Sequence, residues 1–400
     1  MSQEPVPATQ YGFDPADPAF RDDPYPSYAR LREHAPLAWY PPNGWLLVAR
    51  HAEVDALLRD RRLGRVFVPR RPTERFAPWN LLNEHAMLEL EPPDHTRLRR
   101  LVSHAFTPRR VAGMRARIRT LTDELLDTVV EAGGGDLLAT LAEPLPVAVI
   151  AELLGIEGSD RDLLRPWSNA IVALYEPQAD DTAAEAAVAA SVAFTAYLDE
   201  LIVERRTRPG DDLLSALVAL QVEGDRLSRE ELIATAVLLL NAGHEASVNV
   251  IGNGVAALLA VPERYARLVA DPGLAPRVVE EAIRYDGPLS VFTRTAFEDV
   301  EVASGTVRAG EVVGLLLGSA NRDPAVFDAA DDFVVDREHN PHVGFGAGIH
   351  FCLGAALARV ELQEAFTALA QRAPGLHLTA EPPRRDAFQF RGFRQLPVGV

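Results

Sequence analysis

Lysine is absent from the 400 residues, so all 40 basic side chains are arginines. Gene base composition explains that bias more simply than any function does. Cysteine is nearly absent, one in the whole chain, which excludes an internal disulfide framework. Acidic residues outnumber basic ones, 57 to 40, for a formal charge of −17. That argues against a general nucleic-acid binder, which would carry a basic stripe. No run of eighteen or more apolar residues offers a membrane span. Met1 to Pro24 is polar and proline-rich, with no apolar signal core. These absences predict a cytoplasmic protein with no nucleic acid and no membrane among its partners. Linkers, internal repeats and low-complexity tracts are missing too. Length alone suggests two or three domains. With 48% hydrophobic residues and no break point, the expectation is instead a single domain, residues 1–400.

What is present gathers around the lone cysteine, in Phe345-Gly346-Ala347-Gly348-Ile349-His350-Phe351-Cys352-Leu353-Gly354. Glycines at 344, 346 and 348 let the backbone take positive φ and let a flat ligand come close. A helical pattern follows, from about Leu353 to Arg372. A cysteine where a glycine loop enters a helix lies near the positive end of that helix, where N–H groups can hold a thiolate. A lone cysteine is more often a small buried hydrophobe, and it is the neighbours that shift the balance.

Several other segments stand out. Residues 61–90 show little periodicity and predict a long irregular stretch, a kind of segment that is often functional. Glu91-Pro92-Pro93-Asp94-His95-Thr96-Arg97-Leu98-Arg99-Arg100 starts a helix at Pro93 or Asp94. His95 and Arg99, four apart, share one face and suit a dianionic ligand. Residues 108–220 read as helical, with breaks at Gly133-Gly134-Gly135, Gly155, Glu176-Pro177 and Pro209-Gly210. Ser228-Arg229-Glu230-Glu231 caps a helix that runs to about Leu259 and is apolar on most faces, hence buried. In its middle lies Asn241-Ala242-Gly243-His244-Glu245-Ala246-Ser247. A glycine there costs roughly 1 kcal/mol against alanine and wants a local reason. A carboxylate there must be paired, solvated or protonated, which makes Glu245 a candidate proton carrier. Val300–Ala303 and Val307–Leu317 alternate and predict a small sheet. Glu281 and Arg284, about one turn apart, read alone as an ordinary surface pair.

Taken in order, these segments resemble the cytochrome P-450 family over nearly the whole chain. Phe-Gly-x-Gly-x-His-x-Cys-x-Gly is similar to that family's haem-ligand loop and is highly specific. The resemblance implies a mainly α fold with small β-sheets (α+β), the haem lying between a long distal helix and the helix after the cysteine loop. It implies haem b (iron protoporphyrin IX) with the Cys352 thiolate as axial ligand. Phe345, Gly346 and Gly354 would shape the loop; His350, His95, Arg99 and Arg294 would meet the propionates. Ala242 and Gly243 would leave room over the iron. Glu281, Arg284 and Arg337 match the family's buried structural network, with Asn321-Arg322-Asp323-Pro324 before it. Asp286 to Thr293 would pass the haem, with Leu289, Ser290, Val291 and Phe292 as pocket residues. Phe390 and Arg391 would enter the pocket from the last hairpin, and a lid would hinge near 177–181. Arg97 and Arg100 are either a solvated face or a docking patch for an acidic electron donor.

The chain departs from the family at 246, where most members carry threonine, whose hydroxyl helps deliver protons. Ala246 cannot donate. Ser247 is about 100° further round the helix and does not take its place. Some bacterial polyketide-tailoring members resemble this chain in carrying Glu-Ala-Ser. The expectation is a relay through Glu245 and Ser247, completed beside Ala246 by a water or a substrate hydroxyl. The implied function is a monomeric monooxygenase, supplied by a ferredoxin and a ferredoxin reductase. It would put one atom of O2 into a hydrophobic small molecule, as hydroxylation in natural-product tailoring. The alternatives are oxidative coupling or rearrangement without oxygen insertion, and a non-catalytic haem sensor or carrier. A peroxygenase ranks lower, since family members of that kind have arginine where this chain has Glu245.

Overall fold

The computed structural model describes residues 5–176, 179–220 and 224–400. Helices dominate. In chain order they are α1 (Pro18–Asp22), α2 (Tyr25–His34), α3 (His51–Arg59), α4 (Thr73–Glu84), α5 (Asp94–Ala105), α6 (Pro108–Glu131), α7 (Pro144–Leu154), α8 (Arg161–Ala173), α9 (Asp181–Thr207), α10 (Leu213–Ala219), α11 (Arg229–Leu259), α12 (Pro262–Ala270), α13 (Ala275–Tyr285), α14 (Leu317–Ala320) and α15 (Ala355–Arg372). The strands are β1 (Val6–Pro7), β2 (Leu37–Tyr40), β3 (Trp45–Val48), β4 (Leu63–Gly64), β5 (Gly134–Asp136), β6 (Val291–Ala296), β7 (Val300–Val302), β8 (Gly305–Val307), β9 (Val312–Leu316), β10 (His377–Leu378) and β11 (Pro397–Gly399). The main sheet runs β1-β2-β3-β9-β6-β4; β10-β11-β5 and β7-β8 form two smaller ones.

Local chemistry explains most boundaries. Prolines occupy the first turns of α6, α7, α12 and α13, where a missing N–H costs nothing. Ser228 and Glu231 form a reciprocal capping box at the start of α11. Its 31 residues are buried over most of their length, and α7, α8, α13 and α15 pack around it. A large helical core extends from Phe76 to Val398, while two smaller clusters line the main sheet.

Two expectations are corrected. Residues 61–90 hold β4 and the 12-residue α4. Periodicity hid α4 because its buried face includes Asn80 and Asn83 beside Phe76, Trp79 and Leu82. Asn80 exchanges hydrogen bonds with the Arg70 backbone, and Asn83 takes the Tyr175 hydroxyl. The sheet expected from 300 to 317 divides: β7 and β8 pair alone, and β9 leaves to pair with β3 and β6. Among the described residues one helix, α9, is long and apolar enough in composition to cross a membrane. Its inner residues, including Ala184, Ala187, Phe194 and Leu198, are buried against the rest of the chain.

Candidate haem site

The cysteine loop is fixed from beneath. Arg284 is fully buried and grips both oxygens of Glu281 at 2.8 and 2.7 Å. It also donates to the carbonyls of Asn321, Ala330 and Asp332. Arg337 and the Val334 N–H add to Glu281 at 2.9 and 2.7 Å. So the pair is an interior joint rather than an exposed one, and each charge is compensated, as burial demands. Asn321 Oδ1 accepts from the Val343 N–H at 2.8 Å, at the mouth of the loop. Gly346 and Gly348 both have φ near +68°, which a side chain would strain. Gly344 has no positive φ and instead makes a close approach to Ile283. The loop closes through Cys352 N–H to Phe345 O, 2.9 Å. Burial pushes the Cys352 thiol up, opposed by the N–H groups of Gly354 and Ala355 and by Arg99 and Arg359. Arg359 also covers the Phe345 ring at 4.4 Å.

Around the loop lies a set of donors, of which His95 has no acceptor and Arg294 no carboxylate acceptor among the described residues. His95 is buried, and neither ring nitrogen has a hydrogen-bond partner among the described residues. Burial, with His350 and Arg99 nearby, pushes it down to about 4. Arg294 is buried on β6 and donates to the Thr293 carbonyl, not to a carboxylate. Burial lowers it to about 10. Arg99, half-buried, donates to Phe351 O at 2.7 Å. His350 donates from Nε2 to Glu91 at 2.8 Å, and its ring lies 4.5 Å from that of His95. Uncompensated buried cations and orphaned ring nitrogens want anions, and the two propionates of a haem fit that need.

The distal wall has the matching shape. Between Leu232 and Leu258 only Leu238, Leu239, Ala242, Gly243 and Ala246 retain exposure. They recur at helical spacing on one face of α11, an accessible stripe in an otherwise buried helix. A Cβ at Gly243 would lie 2.9 Å from Ile150 of α7, so that glycine also serves helix packing.

The two relay candidates diverge. Glu245 is buried and forms an ion pair with Arg385; Asn249 Nδ2 donates to it at 3.1 Å. It lies in the wall of a cavity of about 280 Å³ with Glu176, Arg385, Asp386 and Phe390. Ser247 is turned the other way, where its hydroxyl meets Glu361 of α15. Burial pushes the Glu361 carboxyl up to about 8, with the Ser247 hydrogen bond opposing. Ser247 therefore does not stand in line behind Glu245. His244 is buried with Nδ1 3.3 Å from the Ser168 hydroxyl.

The pocket candidates divide as well. Leu289 and Phe292 are half-buried, and Phe292 lies against Gly346 of the cysteine loop. Phe390 lines the Glu245 cavity. Ser290 and Val291 do not face a pocket: Ser290 is buried beside Tyr28, and Val291 packs with Phe13 and Tyr28 behind β6. Arg391 is a second correction. It is buried, donates to Asp286 at 2.6 Å and holds the Arg21 and Asp22 carbonyls. Burial opposes ionisation of Asp286, but Arg384 and Arg391 outweigh it and hold the carboxyl well below the usual range. Arg97 pairs with Glu231 and Asp225, and Arg100 lies 3.7 Å from Asp225, so both face the start of α11. The lid hinge expected near 177–181 includes Pro177 and Gln178, outside the described residues.

Arg385 and Glu361 escaped the sequence reading, and Glu91 and Asp286 entered it only as the first residues of segments, with no role of their own. Glu361 did leave a signal, as a lone acid on the apolar stripe Leu357, Glu361, Ala365. The others act through contacts distant in sequence.

The cytochrome P450 family model matches residues 273–373. A protein named Cytochrome P450 107B1, from Saccharopolyspora erythraea, is 44% identical over 96% of this chain and 96% of its own. Nocardicin C N-oxygenase, from Nocardia uniformis subsp. tsuyamanensis, is 43% identical over 94% and 95%. Among solved structures, P450BioI in complex with an acyl carrier protein ligated to hexadec-9Z-enoic acid superposes with a TM-score of 0.91. It is 36% identical and covers 96% of this chain and 100% of that one.

Proposed function

The chain belongs to the cytochrome P450 family, and on that premise we propose that it is a haem-thiolate monooxygenase that hydroxylates a hydrophobic natural product. The observation that carries this reading is the meeting of Cys352 on its glycine loop with the buried His95 ring, which has no hydrogen-bond partner among the described residues, and with buried Arg294, whose hydrogen bond goes to a carbonyl rather than a carboxylate. His95, Arg99, Arg294 and His350 would hold the propionates, and Cys352 would be the iron ligand. Haem b bound there would supply the thiolate-assisted cleavage of O2 that puts one oxygen into substrate and the other into water. The protein's share is placement of substrate and control of protons. Leu289, Phe292 and Phe390 form the apolar wall. Glu245, paired with Arg385, takes protons from the cavity at its side and passes them toward Ala246. There a water or a substrate hydroxyl completes the path that the missing threonine would make. Two electrons per cycle come from a ferredoxin and its reductase. We read the chain as one catalytic domain, a monomer of the cytoplasm.

The test is a titration of the ferric holoprotein with scaffolds offered with and without a hydroxyl group, watching the haem absorption band. A shift to high spin followed by oxygenated product supports the reading and names a substrate class. A haem complex that binds ligands yet never consumes NADPH with a ferredoxin and reductase would favour a sensor or carrier.

A further inference from the structure

We infer that Glu91 is a positioning residue for the haem site: its carboxylate ties the cysteine loop, through His350, to the segment that leads into α5, and Gly64 keeps the room this requires. The inference rests on the haem-thiolate reading and adds two residues to it.

Three segments meet at this one residue. Its Oε1 accepts from His350 Nε2 at 2.8 Å and from the backbone N–H of Arg65 at 2.7 Å. The Glu91 carbonyl accepts from the His95 N–H at 3.0 Å, in the first turn of α5. Glu91 thereby links the exit of β4, the start of the helix that carries His95 and Arg99, and the loop that carries Cys352. The Glu91 side chain is 20% exposed and that of His350 only 6%, so water competes weakly for this bond. Hydrogen bonds to an ionised carboxylate are about twice as strong as neutral ones. Burial opposes the charge on Glu91, but the His350 and Arg65 hydrogen bonds outweigh it and keep the carboxyl below its usual range. The imidazole it holds lies 4.5 Å from the His95 ring, whose nitrogens are both unpartnered. A shift of Glu91 would therefore move the cysteine loop relative to α5.

Gly64 supplies an independent handle. Its φ is not positive, and it sits in an ordinary strand register opposite Thr295. Its backbone does not demand glycine. Its surroundings do: a Cβ there would lie 2.7 Å from both Cγ and Cδ of Glu91. The other neighbour at that distance is the Phe297 ring edge, which is half exposed and free to swing.

The experiment compares the holoprotein with Glu91→Ala, Gly64→Ala and the double variant. Three readouts are used: haem transfer to excess apomyoglobin, the thiolate band of the reduced carbon monoxide complex, and unfolding of the haem-free chain. Glu91→Ala should speed haem loss roughly tenfold, the scale of one lost charged hydrogen bond, and convert part of the complex to a form without the thiolate band. Gly64→Ala should do the same by displacing Glu91. In the Glu91→Ala background it should add little, because the atoms it would strike are gone. Haem retention unchanged in Glu91→Ala overturns the inference, as does a Gly64→Ala effect that survives in the double variant. An equal loss of stability in the haem-free chain would make Glu91 a joint of the fold alone and would overturn it too. A parent protein without any thiolate band would instead sink the haem-thiolate reading on which all this stands.

Discussion

At the scale of single residues, Ala246 bears on the accessible stripe of α11 and Glu361 on the stability of the chain. Ala246 keeps its exposure on the accessible stripe of α11, and Ser247 is turned toward Glu361. Position 246 therefore brings no hydroxyl of its own, and Ser247 does not supply one. Ala246→Thr should raise product formed per NADPH consumed and leave unchanged which scaffolds shift the haem band. If it stops turnover of scaffolds that still bind, a substrate hydroxyl occupies that place. Glu361 makes a pH prediction. Its folded-state value is raised to about 8, while an unfolded glutamate titrates near 4.3. Between those values the native chain holds a proton that the unfolded chain has released. The stabilisation is complete below the unfolded value and is lost as pH rises toward about 8. Glu361→Gln should flatten that decline, so its advantage in melting temperature over the parent should grow from pH 5 to pH 8. A constant difference would mean that Glu361 titrates normally. The buried role of Glu281 was legible only through the family motif Glu-x-x-Arg, since its own neighbourhood reads as a surface pair. The direction of Arg391 was not, because an irregular loop has no period from which to read a face.

At the scale of elements, α11 does more than present an accessible stripe. Glu245, Asn249 and Asn253 recur every fourth residue and form a polar ladder down one side of a buried helix. Each rung grips the loop at 384–392. Glu245 pairs with Arg385, and Gly392 leaves space for Asn249. Asn253 donates to the carbonyls of Asp286 and Arg391 at 2.9 and 3.0 Å and accepts from Arg384. Asn253→Ala would leave two buried carbonyls unsatisfied and should cost about 1–3 kcal/mol, measured by denaturant unfolding of the holoprotein. A loss below a few tenths would show that water replaces the amide freely. The extent of α11 was legible from its cap and its proline-free run. The ladder was visible only as scattered polar letters in an apolar helix, since their partners lie more than 30 residues away. Helix α4 was hidden in a related way, because its buried asparagines find partners outside the helix, Asn80 at Arg70 and Asn83 at Tyr175.

At the scale of the whole molecule, the order of motifs along 400 residues made the family legible, because five specific segments in sequence leave few alternatives. What that order does not carry is how the ends of the chain meet. Tyr25 and Arg391 both reach Asp286, each at 2.6 Å, and Arg384 joins them at 2.8 Å. Arg322 stacks between the rings of Tyr25 and Tyr285 at 3.6 and 3.8 Å. These joints hold the N-terminal segment, α13 and the C-terminal loop together around the site, and no local pattern announces them. The proposed chemistry, however, turns on one atom, the sulfur of Cys352. Its most direct test is the spectrum of the reduced holoprotein under carbon monoxide, recorded for the parent and for Cys352→Ala. Ligation by Cys352 predicts the long-wavelength thiolate band in the parent and its disappearance in the variant. A parent complex with the shorter-wavelength band of a neutral ligand, or a variant that keeps the thiolate band, would contradict it.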